Sequence, residues 1–257
     1  MLIDTHAHLN FKDFDIDRDK VIGQCLSNDI WIINVGADLE TSKKAIEIAE
    51  KYDKEVYATV AIHPHNIGIE KFDYKKYKEL AKNKKVVAIG EAGLDYQFCE
   101  NDEENQELQK KVFIQHLELA KELNKPIIIH SRRLFPEILE IVKKYSGLKG
   151  VLHCYMGRWS YAEEYLKLGF YISFTGLITY ARDYDKVIKN CPPERILIET
   201  DSPYLIPEPL RKKDEIVRNT PENVKYVAQK IAEIKGISFE QVAKQTTQNA
   251  KKMFNLI

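Results

Sequence analysis

The chain has 257 residues, 44% apolar and 30% charged, and its 39 basic and 39 acidic side chains cancel to a formal net charge of zero. That length suits one (β/α)8 domain with a large core, and the charge balance excludes a global field that would steer nucleic acid, so any basic surface is local. No stretch approaches the roughly 18 apolar residues of a membrane span. The four cysteines form no CxxC pair and no signal peptide precedes Met1, so the expectation is a cytoplasmic protein with reduced thiols.

Short β-branched apolar runs predict strands over 2–8, 30–36, 56–62, 86–91, 126–130, 149–153, 170–175 and 196–201. Runs of this kind read as strands buried on both faces. Helical patterns fall between and after them, near 16–27, 39–51, 73–82, 104–123, 133–145, 159–168, 182–190 and 221–235. A last helix is predicted over 238–254, where Ser238 and Gln241 have capping-box spacing. Strands alternating with helices imply parallel pairing. With no linker, repeat or low-complexity tract, residues 1–257 read as a single domain.

Metal-type ligands close these runs in succession. His6 and His8 end the first, Glu91 the fourth, His130 the fifth, His153 the sixth and Asp201 the eighth. A ligand at the C-terminal end of strand after strand is how a (β/α)8 TIM-type barrel builds its site. A doubly wound open sheet would gather ligands at one crevice. Here the first and eighth strands must meet, and closure of a barrel brings them together. His6 and His8 are two residues apart, so strand alternation points both to one face. Nitrogen and oxygen donors suit a divalent ion such as zinc or manganese. Six donors exceed what one tetrahedral ion needs, so two ions sharing Glu91 as a bridge are expected. Such a pair activates water and stabilises a leaving oxygen in phosphodiester cleavage. His116 lies mid-helix and reads as structural or surface. Cys154 should face away from His153 and serve packing. Asp4 and Glu199 should lie one layer deeper on the interior face, beneath His6 and Asp201.

The segments Ile3-Asp4-Thr5-His6-Ala7-His8-Leu9, Ile62-His63-Pro64-His65, Ile89-Gly90-Glu91-Ala92-Gly93-Leu94-Asp95-Tyr96, Ile129-His130-Ser131-Arg132, His153-Cys154-Tyr155 and Glu199-Thr200-Asp201-Ser202-Pro203-Tyr204-Leu205 together span most of the chain. In this order they resemble the TatD family of metal-dependent deoxyribonucleases, within the amidohydrolase-like superfamily. The resemblance implies a (β/α)8 barrel and a first metal site of His6, His8, Glu91 and Asp201. It implies a second site of Glu91, His130 and His153, with two divalent ions of magnesium, manganese or zinc, and hydrolysis of nucleic acid from 3′ ends of DNA. Relatives in the superfamily often bridge their metals with a carboxylated lysine. Glu91 at the fourth strand argues against that branch.

Asp201 is the expected proton acceptor for the attacking water, with Glu91 beside it. His63 and Arg132 are the expected phosphate contacts, with Arg133 and Arg158 as further local cations. Tyr96, Phe98, Tyr155 and Tyr204 follow strand tips, where bases stack. The chain departs from the family at Met156, where a small hydroxyl residue is usual, in the segment 207–220, and in an acidic loop with Glu100, Asp102, Glu103 and Glu104. A deacylase acting on aminoacyl-tRNA and a non-catalytic nucleic-acid-binding protein are the alternative readings. The complete ligand set speaks against the second of these.

Overall fold

The computed structural model describes residues 1–97, 99–212 and 217–256. Strands β1 (Leu2–Ala7), β2 (Ile30–Val35), β3 (Val56–Val60), β4 (Val86–Leu94), β5 (Ile127–Ser131), β6 (Gly150–Leu152), β7 (Tyr171–Phe174) and β8 (Ile196–Ile198) form one parallel sheet in chain order. Between them lie α1 (Arg18–Ser27), α2 (Leu39–Ala49), α3 (Tyr74–Ala81), α4 (Glu103–Glu122), α5 (Phe135–Val142), α6 (Trp159–Lys167) and α7 (Asp185–Asn190). After β8 come α8 (Val224–Lys235) and α9 (Phe239–Phe254). This is a nearly closed (β/α)8 TIM-type barrel with an additional C-terminal helix.

The expected helix over 182–190 opens instead with a tight turn at Arg182–Tyr184, and the one over 221–235 with a turn at Pro221–Asn223. The Ser238–Gln241 capping box at α9 forms as the sequence predicts.

Two apolar layers follow from strand alternation. Ile32, Ala58, Ile127, Ile129, Leu152, Ile172, Ile196 and Ile198 pack outward against the helices. Ile3, Ile33, Ala88, Ile128, Val151 and Leu197 fill the barrel interior, and Met253, Phe254 and Leu256 around the end of α9 close its N-terminal mouth.

The first and last strands meet through an isolated bridge between Ala7 and Ser202. The His8 N–H donates to Ser202 O at 2.8 Å and the Asp201 N–H to His6 O at 2.8 Å. Asp4 supplies the rest of the seam. Its carboxylate accepts from the Thr200 N–H at 2.9 Å and the Thr200 hydroxyl at 2.6 Å. A buried carboxylate is costly without partners. Burial pushes the Asp4 carboxyl well above the usual range, although these hydrogen bonds pull it back down.

Asp4 corrects the expectation that it lies beneath His6. Its neighbour Ile3 faces the interior, and Asp4 itself is close enough to the thiol of Cys25 on α1 to raise that thiol's pKa. The β1–β2 pairing shifts register between Asp4 and Ala7. Such an irregularity re-aims side chains, and here it turns His6 inward.

Candidate metal centre

β4 runs three residues beyond Glu91, so Glu91 is mid-strand rather than at a strand end. Its pairing with β5 shifts register between Ile89 and Ala92. That shift aims Glu91 into the barrel, where alternation from Ala88 alone would aim it out. Gly93 permits the close approach that follows. A Cβ there would lie 1.9 Å from the His130 carbonyl oxygen. On β5 and β6 plain alternation suffices, and His130 and His153 sit two residues beyond the interior-facing Ile128 and Val151. Asp201 lies three residues past the end of β8 with a φ of +58°.

The six residues converge on the C-terminal side of the barrel. His6 Nε2 and His8 Nε2 are 3.2 Å apart. His6 Nε2 lies 3.2 Å from Glu91 Oε2 and 3.7 Å from Asp201 Oδ1, and His8 Nε2 lies 3.4 Å from the same Asp201 oxygen. The other oxygen, Glu91 Oε1, is 2.6 Å from His130 Nδ1, 3.6 Å from His153 Nε2 and 3.6 Å from His63 Nε2. A cleft of about 480 Å³ opens above them, lined also by Phe11, Arg132 and Tyr204.

Outer hydrogen bonds sort the histidines by tautomer. His8 Nδ1 is 2.9 Å from Val35 O, an acceptor, so Nδ1 carries the proton and Nε2 presents its lone pair to the centre. His153 Nδ1 faces Glu199 Oε1 at 2.8 Å and aims Nε2 inward in the same way. This is the arrangement of metal-ligating imidazoles, one nitrogen held by an outer acceptor and the other free to ligate. His130 is set the other way round, with Nε2 3.1 Å from Asp95 Oδ2 and Nδ1 inward. His63 differs. Its Nδ1 accepts from the His65 N–H at 3.2 Å, so a neutral ring carries its proton on Nε2, which points at Glu91 and His130 as a donor. Burial lowers its pKa to about 4, against the pull of Glu91, and keeps the ring neutral.

The donor set therefore fits divalent ions. Three groups of close donors occur among the described residues: His6, His153 and Asp201; His6, His8 and Glu91; and His63, Glu91 and His130. Burial opposes charge on Glu91, but the surrounding histidines, His153 first, hold its carboxyl well below the usual range. Desolvation opposes charge on part-buried His130 and on buried His153, yet Glu91 with Asp95, and Glu199 with Glu91, raise them to about 9 and about 10.

Glu199 is buried, shares the interior face with Asp201 and accepts from the Cys154 N–H at 2.7 Å as well as facing His153. Cys154 departs from expectation. β6 ends at Leu152, and Cys154 has a φ of +41°, so alternation no longer governs it. Its thiol lies 3.3 Å from Thr175 Oγ1, within the field of the Asp201, Glu199 and Glu91 carboxylates, and is buried. His116 is fully buried and structural: its Nδ1 donates to Val112 O and its Nε2 accepts from the Ile62 N–H.

Asp95 and His65 were not among the expected site residues. Asp95 is 1% exposed, and its Oδ2 faces His65 Nε2 at 2.7 Å as well as His130. Gln109 on α4 holds the Asp95 backbone, accepting from its N–H and donating to its carbonyl, both at 2.9 Å. The signals in the sequence are an acid four residues after Glu91 in an otherwise apolar run and the place of both Asp95 and His65 within the segments that carry the family resemblance. Of the expected stacking residues, Tyr204 is 54% exposed, Tyr96 is partly buried, and Tyr155 is 2% exposed with its hydroxyl donating to Arg158 O. Phe98 lies outside the described residues, as do residues 213–216 of the departing segment. Arg132, Arg133 and Arg158 are exposed, and Arg132 borders the cleft.

A parallel barrel whose C-terminal mouth gathers four imidazoles and two carboxylates in this way is the framework of a metal-dependent hydrolase. The chain belongs to the TatD family: the model for TatD related DNase matches residues 3–255. It is similar to the uncharacterized metal-dependent hydrolase YabD of Bacillus subtilis, at 42% identity over the whole of both chains. It is 33% identical to the human deoxyribonuclease TATDN3, covering 98% of this chain and 94% of that one. Among solved structures it resembles the TatD homologue YJJV of Escherichia coli K12, with a TM-score of 0.90 at 27% identity, covering 100% of this chain and 98% of that one. Among the described residues no helix is long and apolar enough to cross a membrane.

Proposed function

We propose that the protein is a deoxyribonuclease that hydrolyses phosphodiester bonds from the 3′ ends of DNA and uses two divalent ions. The observation that carries the reading is the division of donors between the two oxygens of Glu91. Oε2 faces His6 and, across the centre, His8, while Oε1 faces His130 and His153. His6, His8, Glu91 and Asp201 would hold one magnesium, manganese or zinc ion, and Glu91, His130 and His153 the other. When bound, such ions polarise the phosphoryl oxygens and lower the pKa of water towards about 7.

The chain's own residues do the rest. Asp201, held ionised despite burial by the neighbouring histidines, His8 first, accepts the proton of the attacking water. His63, neutral with its proton on Nε2, donates to a phosphoryl oxygen at the floor of the cleft. Arg132 at the rim holds a phosphate through its fork of donors. Tyr204 offers an exposed ring for a base. The human relative's name as a deoxyribonuclease supports the substrate class.

The test is incubation of pure protein with 3′-labelled single-stranded DNA and, in parallel, with aminoacyl-tRNA, each with and without chelator, alongside metal analysis. Chelator-sensitive release of 3′ nucleotides and two metal equivalents are expected, with both equivalents lost in Glu91→Ala. Deacylation without DNA cleavage, or full activity with a single equivalent, would overturn the reading.

A further inference from the structure

A second cavity, of about 570 Å³, lies on the C-terminal face of the barrel, the face on which the candidate centre opens. It is walled by the loop that leaves His153 and by the turn before α7. Met156, Arg158 and Trp159 line one side, and Asp183, Tyr184 and Lys186 the other. The loop is folded tightly. A Cβ at Gly157 would lie 2.4 Å from the Tyr155 hydroxyl, and that hydroxyl donates to Arg158 O at 2.8 Å. Tyr155 therefore anchors the start of α6 and leaves Met156 turned outward, 36% exposed. Burial, and after it the Asp183 carboxylate, push the Tyr184 phenol up. The wall that carries Met156 begins three residues after His153, so cavity and centre open on the same face of the barrel.

Its chemistry is specific. Two aromatic rings and a polarisable thioether border it, and Met pairs well with flat π surfaces. Arg158 and Lys186 stand against one carboxylate, Asp183, in the lining, which leaves the cavity one net positive charge. In a molecule of zero net charge, that excess is a local attraction for an anion. Planar apolar surface together with an excess of cations is what single-stranded nucleic acid requires, bases on rings and phosphates on Lys and Arg.

We propose that this cavity is a nucleotide subsite. One base of the strand threading into the centre rests against Trp159, Tyr184 and Met156, with its phosphate on Arg158 or Lys186. The proposal rests on the nuclease reading and deepens it. It gives the departure at Met156 a purpose: a thioether adds contact area for a base where a small hydroxyl would leave the cavity wider.

Trp159 reports on its own site, because the other tryptophan, Trp31, is 8% exposed and lies in the layer closed by α9. The experiment uses the Trp31→Phe protein and follows Trp159 fluorescence during titration with oligothymidylate and with inorganic polyphosphate. Saturable quenching by the oligonucleotide and none by polyphosphate is expected. A Met156→Glu change on the same background should weaken oligonucleotide binding by about tenfold or more. It should also lower the ratio of kcat/KM on an eight-nucleotide strand to that on bis(p-nitrophenyl) phosphate, with the thermal midpoint confirming the fold. Arg158→Gln provides a second variant that leaves the apolar wall intact. Equal quenching by both polyanions, or an unchanged ratio in both variants while the parent cleaves DNA, overturns the subsite alone. Quenching by oligothymidylate without cleavage of any nucleic acid supports the subsite and overturns the nuclease reading.

Discussion

His116 links the helical layer to the candidate site, and acid should break that link. Its ring on α4 is fully buried against Phe72 and Tyr77, and its Nε2 accepts the N–H of Ile62, the residue before His63. Protonation would put a hydrogen where Ile62 needs a lone pair. Burial lowers the pKa of His116 from its ordinary 6.5 to about 4, although the Val112 carbonyl opposes this. Because the folded value is the lower one, the unfolded chain binds more protons between these two pH values. The contribution is complete above pH 6.5 and is lost as pH falls through about 4. At about 1.36 kcal/mol per pH unit, the gap amounts to about 3 kcal/mol. The perturbation is His116→Gln, which keeps one donor and one acceptor but removes the titrating proton. Urea midpoints of chelator-treated protein, taken from pH 7.5 to 4.5, should fall more steeply for the parent than for the variant. His63 also has a depressed pKa but is common to both proteins, so the difference between the two curves isolates His116. Parallel curves would refute the argument, and with it the hydrogen bond that holds Ile62.

Glu199→Gln should cost about 10–100-fold in metal affinity or turnover, since Glu199 orients His153 and the Cys154 backbone; isothermal titration with zinc, together with kcat on DNA, checks this. Gly93→Ala should destabilise by about 1–3 kcal/mol or more through overpacking against the His130 carbonyl, and an unchanged urea midpoint would contradict the β4–β5 register. In metal-free protein His130 and His153 have raised pKa values, about 9 and about 10. Their contribution to stability is complete below pH 6.5 and disappears as pH rises through those values. Thermal midpoints in chelator should therefore fall between pH 7 and 10, and saturating metal, which displaces the protons, should flatten the decline.

Strand alternation made part of the site legible. β5 and β6 are regular up to their ligands, so counting by twos from an interior apolar residue finds His130 and His153, and from Leu197 it finds Glu199; Asp201 lies past the end of β8 with a positive φ, where that count has no physical basis. The same counting fails on β1 and β4. There the register slips between Asp4 and Ala7 and between Ile89 and Ala92, and it is the slip that turns His6 and Glu91 inward and leaves Asp4 outward. Nothing in residue type announces a slip, so the placement of Asp4 came out wrong and Glu91 was given a strand end it does not occupy. Cys154 was misplaced for a related reason: its positive φ ends the alternation just after His153. Asp95 and His65 escaped because their role is to hold His130 across a loop, a relation that spacing along one strand cannot express. The barrel itself was plain, since eight apolar runs separated by helical segments leave few other ways to bury every strand on both faces.

The seam between β1 and β8 sets the order in which the site comes into being. Asp4 has the His6 N–H nearby at 3.2 Å but waits for Thr200, 196 residues later, for its two shorter partners, and His6 and His8 wait nearly as long for Asp201. A ribosome feeds out the histidines first and the aspartate near the end. A nascent chain short of residue 201 therefore has neither a closed cylinder nor a complete first ligand set, however well its early βα units have formed. Contacts so distant in sequence are slow to form, and a chain released with its last strand still undocked would lack Asp201 from its first ligand set and hold an ion there weakly, on His6, His8 and Glu91 alone. Tight metal loading should therefore follow release of the finished chain rather than accompany its synthesis.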